Sequence, residues 1–182
     1  MDGQSVDYQE LVEAYCREED VDVRLSFDMP EGYETAYGNY DPAPRTLYLN
    51  RELLDQEPPC VRLFYLYHEL RHASQYQRPD RFEPLLVASL RYVVSYDGTC
   101  YKQAGEEWQE CRLEGGTDRF ADLYLAQPYE RDANRYAYDR VKALLGDSAD
   151  LKALADLWLP KREVDPSVLA ALYREIDEAL TR

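Results

Sequence analysis

The chain has 182 residues, of which 45% are hydrophobic and 31% charged, the composition of a globular protein. Its 36 acidic and 21 basic residues give a formal net charge of -15, which argues against nucleic acid as a partner because phosphate contacts need clustered lysine and arginine. Apolar stretches fall short of the roughly 20 residues of a membrane span and residues 1–5 lack signal-peptide features, so we expect a soluble, cytoplasmic protein without a membrane partner.

The N-terminal part predicts a helix followed by a small sheet. Residues 5–20 have the apolar spacing of an amphipathic helix, with Ser5 as its cap. Residues 21–27 alternate with the period of a strand. Residues 35–39 and 46–50 are expected to be extended and joined by a loop that contains two prolines. This order predicts a small antiparallel or mixed sheet.

A long helix is predicted next, over residues 60–77. Pro58 and Pro59 favour a helix start there, because a missing amide costs least in the first turn. Apolar residues recur at three- and four-residue steps from Val61 and lead to His68 and His72. One face of this helix is therefore apolar in its N-terminal half and carries the two histidines further along.

The remaining segments predict more helices and one hairpin. Helices are expected to begin at Pro84, running to about residue 93, and over residues 128–145, 150–159 and 166–180. Asp97-Gly98 is a turn signal between two short extended runs and predicts a hairpin. This hairpin lies within the segment of about residues 92–126. We expect a single, mostly helical α+β domain over residues 1–182.

The four cysteines are widely spaced and include no C-x-x-C pair. In a reducing compartment they are most simply small core residues. A bridge between Cys100 and Cys111 stays open at this point.

The chain contains only two histidines, and both lie in the run His68-Glu69-Leu70-Arg71-His72. Residues four apart share one face of a helix, so both imidazoles can bind a single metal ion. Glu69 lies beside the first ligand, where its carboxylate can accept a proton from metal-bound water. This H-E-x-x-H pattern predicts a catalytic zinc site.

A catalytic zinc needs a third protein ligand, and no histidine remains to supply it, so this ligand must be a carboxylate or a cysteine thiolate. The best candidate is Glu130, which shares a helical face with Asn134. Glu130 could bind the ion while the Asn134 amide accepts the ring N–H of a ligating histidine, which fixes its tautomer.

Other carboxylates compete for this third position. Gly116-Thr117-Asp118 weakly resembles the signature of aspartate-ligated zincins, although the aspartate comes one residue early. Further acidic candidates in the same segment are Glu106, Glu107, Glu110, Glu114 and Asp122.

His68-Glu69-x-x-His72, followed by Glu130-x-x-Ala133-Asn134-x-x-Ala137 on a later helix, resembles the gluzincin metallopeptidases, most closely their ImmA/IrrE-like group. The resemblance covers roughly residues 20–145. The gap of 58 residues between His72 and Glu130 is longer than expected for that group and implies an inserted segment at about residues 92–126. It implies a zincin-like fold with a short sheet before the active-site helix. It also implies a zinc-dependent peptidase acting on regulatory proteins, with His68, His72 and Glu130 as ligands and Glu69 as general base.

A different class of function is compatible with the same motif. The chain could bind zinc without catalysis and act as a regulatory or interaction module of a mobile element or a toxin–antitoxin system. The inserted segment would then block the cleft. Glu69 favours the enzyme, because a purely structural zinc site does not need this carboxylate.

Overall fold

The computed structural model describes residues 6–182 and has an α+β fold, about 55% helical with two small three-stranded sheets. In chain order the elements are α1 (Tyr8–Glu19), β1 (Arg24–Ser26), β2 (Gly38–Asp41), β3 (Thr46–Leu49), α2 (Arg51–Leu54), α3 (Pro59–Gln77), a 3-10 turn (Pro79–Arg81), α4 (Pro84–Ser89), β4 (Tyr92–Val94), β5 (Thr99–Ala104), β6 (Glu107–Arg112), α5 (Gly116–Leu125), α6 (Pro128–Leu145), α7 (Ala149–Trp158) and α8 (Pro166–Leu180). The chain divides into two compact units. The first extends to Arg81 and includes Asp132–Leu157, and the second comprises Phe82–Arg131 and Trp158–Arg182.

The first unit contains the mixed sheet, in the order β1-β3-β2. β1 runs parallel to β3, whereas β2 runs antiparallel to it. The predicted small sheet ahead of the histidine helix is confirmed, but β2 lies later in the chain than expected. The turn between β2 and β3 is tighter than the predicted loop, because Asp41 pairs with Thr46 and Arg45 adopts a left-handed backbone with φ 50°.

Helix α1 is capped by Asp7, whose Oδ1 accepts a hydrogen bond of 3.1 Å from the Glu10 amide. The predicted cap, Ser5, lies outside the described residues. On the buried side of α1 the Tyr15 hydroxyl lies 2.6 Å from the Ser74 hydroxyl of α3. This hydrogen bond joins α1 to the C-terminal half of α3.

Helix α3 is buried on several sides, not along the single stripe that the sequence pattern predicted. Leu66, Leu70 and Ala73 are fully buried although they lie outside that stripe. A helix that is apolar on most of its faces belongs inside a domain core. The start at Pro59, with Pro58 as the preceding cap residue, agrees with the prediction.

The second unit is built on the antiparallel sheet β4-β5-β6. The predicted hairpin at Asp97-Gly98 is confirmed: Gly98 has a φ of 89°, and the Asp97 carboxylate accepts from the Thr99 amide. The predicted extension of α4 to residue 93 is wrong, because α4 ends at Ser89 and Tyr92 begins β4. The core of this unit consists of Tyr92, Val94, Cys100, Leu113, Phe120, Leu123, Leu169, Leu172, Tyr173 and Ile176.

All four cysteines are free thiols. Cys100 and Cys111 are nevertheless direct neighbours across β5 and β6, and Cys100 is fully buried. Burial raises the pKa of the Cys100 thiol to about 12, which keeps it protonated at neutral pH.

No helix within residues 6–182 combines the length and apolar character needed to cross a membrane.

Candidate metal centre

The two histidine side chains converge in the middle of α3. Their Nε2 atoms lie 3.1 Å apart, and the ring planes are inclined at 89°. Two nitrogen ligands bound to zinc at about 2.0–2.1 Å and at the tetrahedral angle are roughly 3.3 Å apart. The spacing of the two rings therefore fits a shared zinc ion.

Glu69 lies beside this pair of nitrogens. Its Oε1 is 3.9 Å from Nε2 of His68, and its side chain is buried. One ligand atom from each of His68, Glu69 and His72 lies within 4.8 Å of the others. The carboxylate is thus close enough to act on a molecule bound between the imidazoles.

The ring orientation of His72 is set by a hydrogen bond from its own helix. Nδ1 of His72 lies 2.8 Å from Oε1 of Gln75, three residues later. An amide oxygen can only accept, so Nδ1 carries the hydrogen and donates it. In the neutral ring this leaves a lone pair on Nε2, the nitrogen that faces His68.

Gln75 is itself held by a carboxylate of α6. Its Nε2 donates to Oδ2 of Asp132 at 2.9 Å, which fixes the amide with its oxygen toward His72. Asp132 also accepts two hydrogen bonds from Arg71, at 2.8 Å and 3.3 Å. His72, Gln75, Asp132 and Arg71 therefore form one continuous hydrogen-bonded network within the first unit.

Arg71 lies in the H-E-x-x-H run, and its guanidinium pairs with Asp132 of α6. Its guanidinium carbon is 4.6 Å from the centre of the Tyr136 ring, an arrangement typical of a cation–π contact. Burial works to lower the pKa of Arg71, but the hydrogen bonds and charge of Asp132 outweigh it, and the net pKa is raised. Arg71 is therefore a charged structural partner of Asp132.

Strand β2 and the residue before it, Tyr37, pack against the part of α3 that carries Glu69. The Tyr37 ring stacks on the Tyr65 ring of α3, with centroids 4.4 Å apart. The Tyr37 hydroxyl donates to Glu57 at 2.7 Å, which raises the pKa of Tyr37 to about 12. At the other end of β2, the Tyr40 hydroxyl accepts from Gln77 at 2.9 Å. Strand β2 is thus attached to α3 on both sides of Glu69.

Of the residues predicted for the site, His68, Glu69 and His72 are brought together. Asn134 is buried on α6, next to the fully buried Ala133 and one turn before the fully buried Ala137. Glu130 lies in the first turn of α6 and belongs to the second unit, so its role as a ligand stays a prediction.

The competing acidic residues all lie in the second unit. Glu107 and Glu110 are exposed on β6, and Asp118 is exposed in the first turn of α5. Their roles as ligands are likewise predictions from the sequence alone.

Sequence reasoning missed Gln75 and Asp132. For His72 the ring N–H partner is Gln75, whereas the sequence argument had considered only Asn134 for a ligating histidine. The sequence spacing could have indicated Gln75, because residues three apart on a helix are neighbours and Gln75 follows His72 by three. Asp132 gave no comparable signal, since its contact with Gln75 depends on how α6 packs against α3.

Comparison with known proteins returned no match: no family model matches the chain, and neither does any curated protein or solved structure.

Proposed function

We propose that this protein is a zinc-dependent peptidase with a zincin-like fold. The observation that carries the proposal is the convergence of His68 and His72, with Nε2 atoms 3.1 Å apart, beside the buried carboxylate of Glu69. The α+β fold, with a small mixed sheet before the histidine helix, also agrees with this class.

The proposed ligands are His68, His72 and Glu130. The hydrogen bond from Nδ1 of His72 to Gln75 supports His72, because it places the lone pair of the neutral ring on Nε2. Glu130 is proposed from its E-x-x-A-N-x-x-A context, and Asn134, one turn later on α6, is proposed to support a ligating histidine. Carboxylate oxygen is an accepted third ligand of catalytic zinc.

Zinc bound at this centre would lower the pKa of a water molecule toward about 7 and polarise a peptide carbonyl. The protein's own contribution is proton transfer. Glu69 accepts the proton of the attacking water at its carboxylate and delivers it to the nitrogen of the departing amine. The burial of Glu69 suits this role, because few water molecules compete for the carboxylate.

The proposed substrate is a peptide segment of a protein. The resemblance to the gluzincin peptidases favours a regulatory protein as the target. Four free thiols fit a reducing compartment, and on this basis we place the protein in the cytoplasm.

The test combines metal analysis with proteolysis. Purified protein should bind one equivalent of zinc and cleave members of a peptide library, and chelation followed by added zinc should remove and restore cleavage. Glu69→Gln should keep the zinc and lose turnover by at least about 100-fold.

The outcomes separate the two functional classes. One equivalent of zinc without any cleavage would favour the silent regulatory or interaction module. Cleavage by Glu69→Gln at the wild-type rate would contradict the assignment of the base.

A further inference from the structure

Gly38 of β2 lies against the side chain of Glu69. An ideal Cβ built on Gly38 would be 2.9 Å from Cγ of Glu69, well inside the usual carbon–carbon contact distance of about 3.5–4.0 Å. The same Cβ would be 3.3 Å from Cδ2 of Leu49 and from the Tyr48 carbonyl oxygen. The side chain of Glu69 therefore already occupies the space that a side chain at position 38 would need.

The backbone at Gly38 does not itself require glycine. Gly38 has no positive φ and pairs with Leu49 in the regular antiparallel ladder of β2 and β3. Gly38 is the first residue of β2, and a glycine in a strand often marks a place where another group approaches closely. Here that group is the side chain of Glu69.

Strand β2 is not free to move away from α3. The Tyr37–Tyr65 stack attaches the chain just before Gly38 to α3 one turn ahead of Glu69. Two residues after Gly38, the Tyr40 hydroxyl is bound by Gln77 of α3. An added methyl group would therefore displace Glu69, and displacing Cγ moves the carboxylate that now lies 3.9 Å from Nε2 of His68.

We infer that Gly38 is a positioning residue for Glu69: the absence of a side chain at position 38 creates the space that holds the general base beside the metal ligands. The inference rests on the proposed function for the role of Glu69. The packing relationship between the two residues does not depend on any activity.

The packing is tested by a double-mutant cycle on the thermal unfolding of the metal-free protein. Gly38→Ala should lower the melting temperature by roughly 3–10 °C in the wild-type background, as expected for an overpacked site in a chain of this size. The same loss is expected in the Glu69→Gln background, which keeps Cγ. In the Glu69→Ala background, which lacks Cγ, Gly38→Ala should cost clearly less, because only the 3.3 Å contacts with Leu49 and the Tyr48 carbonyl oxygen remain to be relieved.

This cycle decides the inference even if one variant fails to fold. Folding of the Gly38→Ala/Glu69→Ala double variant, when Gly38→Ala alone is unfolded, would support it. An equal loss of stability in all three backgrounds, or unfolding of both Gly38→Ala and the double variant, would overturn it, because the clash would then not involve Glu69.

The second readout concerns catalysis. Gly38→Ala should lower kcat for a cleaved peptide by about 10–100-fold, as expected for a misplaced catalytic group, with KM and zinc affinity unchanged. Asn39→Ala, on the opposite face of the same strand, is the matched control and should leave kcat near the wild-type value. A fall in zinc affinity that matched the fall in kcat would overturn the role as a positioning residue for the base.

Failure of the inference can be told apart from failure of the proposed function. A wild-type protein that binds zinc and cleaves nothing contradicts the peptidase, whereas the unfolding cycle still reports on Gly38 and Glu69.

Discussion

The imidazole of His72 is oriented by Gln75, whose side-chain oxygen lies 2.8 Å from Nδ1 on the next turn of the same helix. The Gln75 amide in turn donates a hydrogen bond to Asp132, so the neutral glutamine links the imidazole to a carboxylate. Such partners of a ligating histidine fix its tautomer and raise its basicity.

Gln75→Leu should weaken zinc binding by about 10–100-fold, because His72 loses the acceptor that keeps its hydrogen on Nδ1. The measurement is a zinc titration against a chelator of known affinity. Gln77→Leu is the control. Gln77 lies on the same helix as Gln75, but its side chain bonds Asp22 and Tyr40 and not an imidazole. Equal zinc affinity for Gln75→Leu and wild type would show that Gln75 does not support the ligand.

Asp132→Asn should lower the free energy of unfolding by about 1–3 kcal/mol, since Arg71 would keep its charge in a largely enclosed position without a carboxylate. Only 20% of the Arg71 side chain is exposed, so water replaces the lost partner incompletely. Urea unfolding of the metal-free protein measures the loss. Asp139→Asn, at an exposed position of α6, changes the same charge and should have little effect. Similar losses for both variants would argue against a specific contribution from the Arg71–Asp132 pair.

Glu130→Ala should lower the zinc affinity by at least about 100-fold if Glu130 is the third ligand, because only the two imidazoles would remain. Asp118→Ala removes the competing aspartate and should leave the affinity unchanged. Elemental analysis after dialysis against a weak chelator compares the two variants. Loss of zinc from Asp118→Ala alone would assign the third position to the aspartate.

Glu175→Gln should destabilise the protein more at pH 7 than at pH 3. The hydrogen bond from Arg119 lowers the pKa of Glu175 below its ordinary 4.5, so its contribution is present above that value and is lost as the pH falls through the lowered pKa. The effect should stay below about 1 kcal/mol, because 36% of the Arg119 side chain and 43% of the Glu175 side chain are exposed.

Urea unfolding at the two pH values checks this expectation. Glu178→Gln removes the same charge from an exposed position of α8 outside the ion pair, and serves as the control. A difference between Glu175→Gln and wild type that persisted unchanged at pH 3 would contradict the pKa shift as its source.

Helix starts at proline were the most predictable part of the fold. Pro59, Pro84, Pro128 and Pro166 each lie at the first position of a helix, where the fixed φ of proline is suited and the missing amide costs nothing. The histidine pair was equally predictable, because the four-residue spacing requires only that the segment be helical.

Strand β6 was not predictable from its sequence. Its residues, Glu107–Arg112, include two glutamates and an arginine and lack the apolar alternation that signals a half-buried strand. The strand forms because it pairs along its full length with β5. Gly38 illustrates a related limit: its importance depends on the approach of Glu69, and no local pattern reports such a long-range contact.

The outer position of β6 also bears on how copies of this protein meet one another in concentrated solution. An edge strand offers unpaired amide and carbonyl groups to any extended segment that reaches it, and so invites aggregation. β6 presents Glu107, Glu110 and Arg112 in exposed positions. Antiparallel docking of two such strands would require these ionised side chains to lose water, and it would force some like charges together. The charged residues of β6 therefore discourage growth of the sheet at this edge.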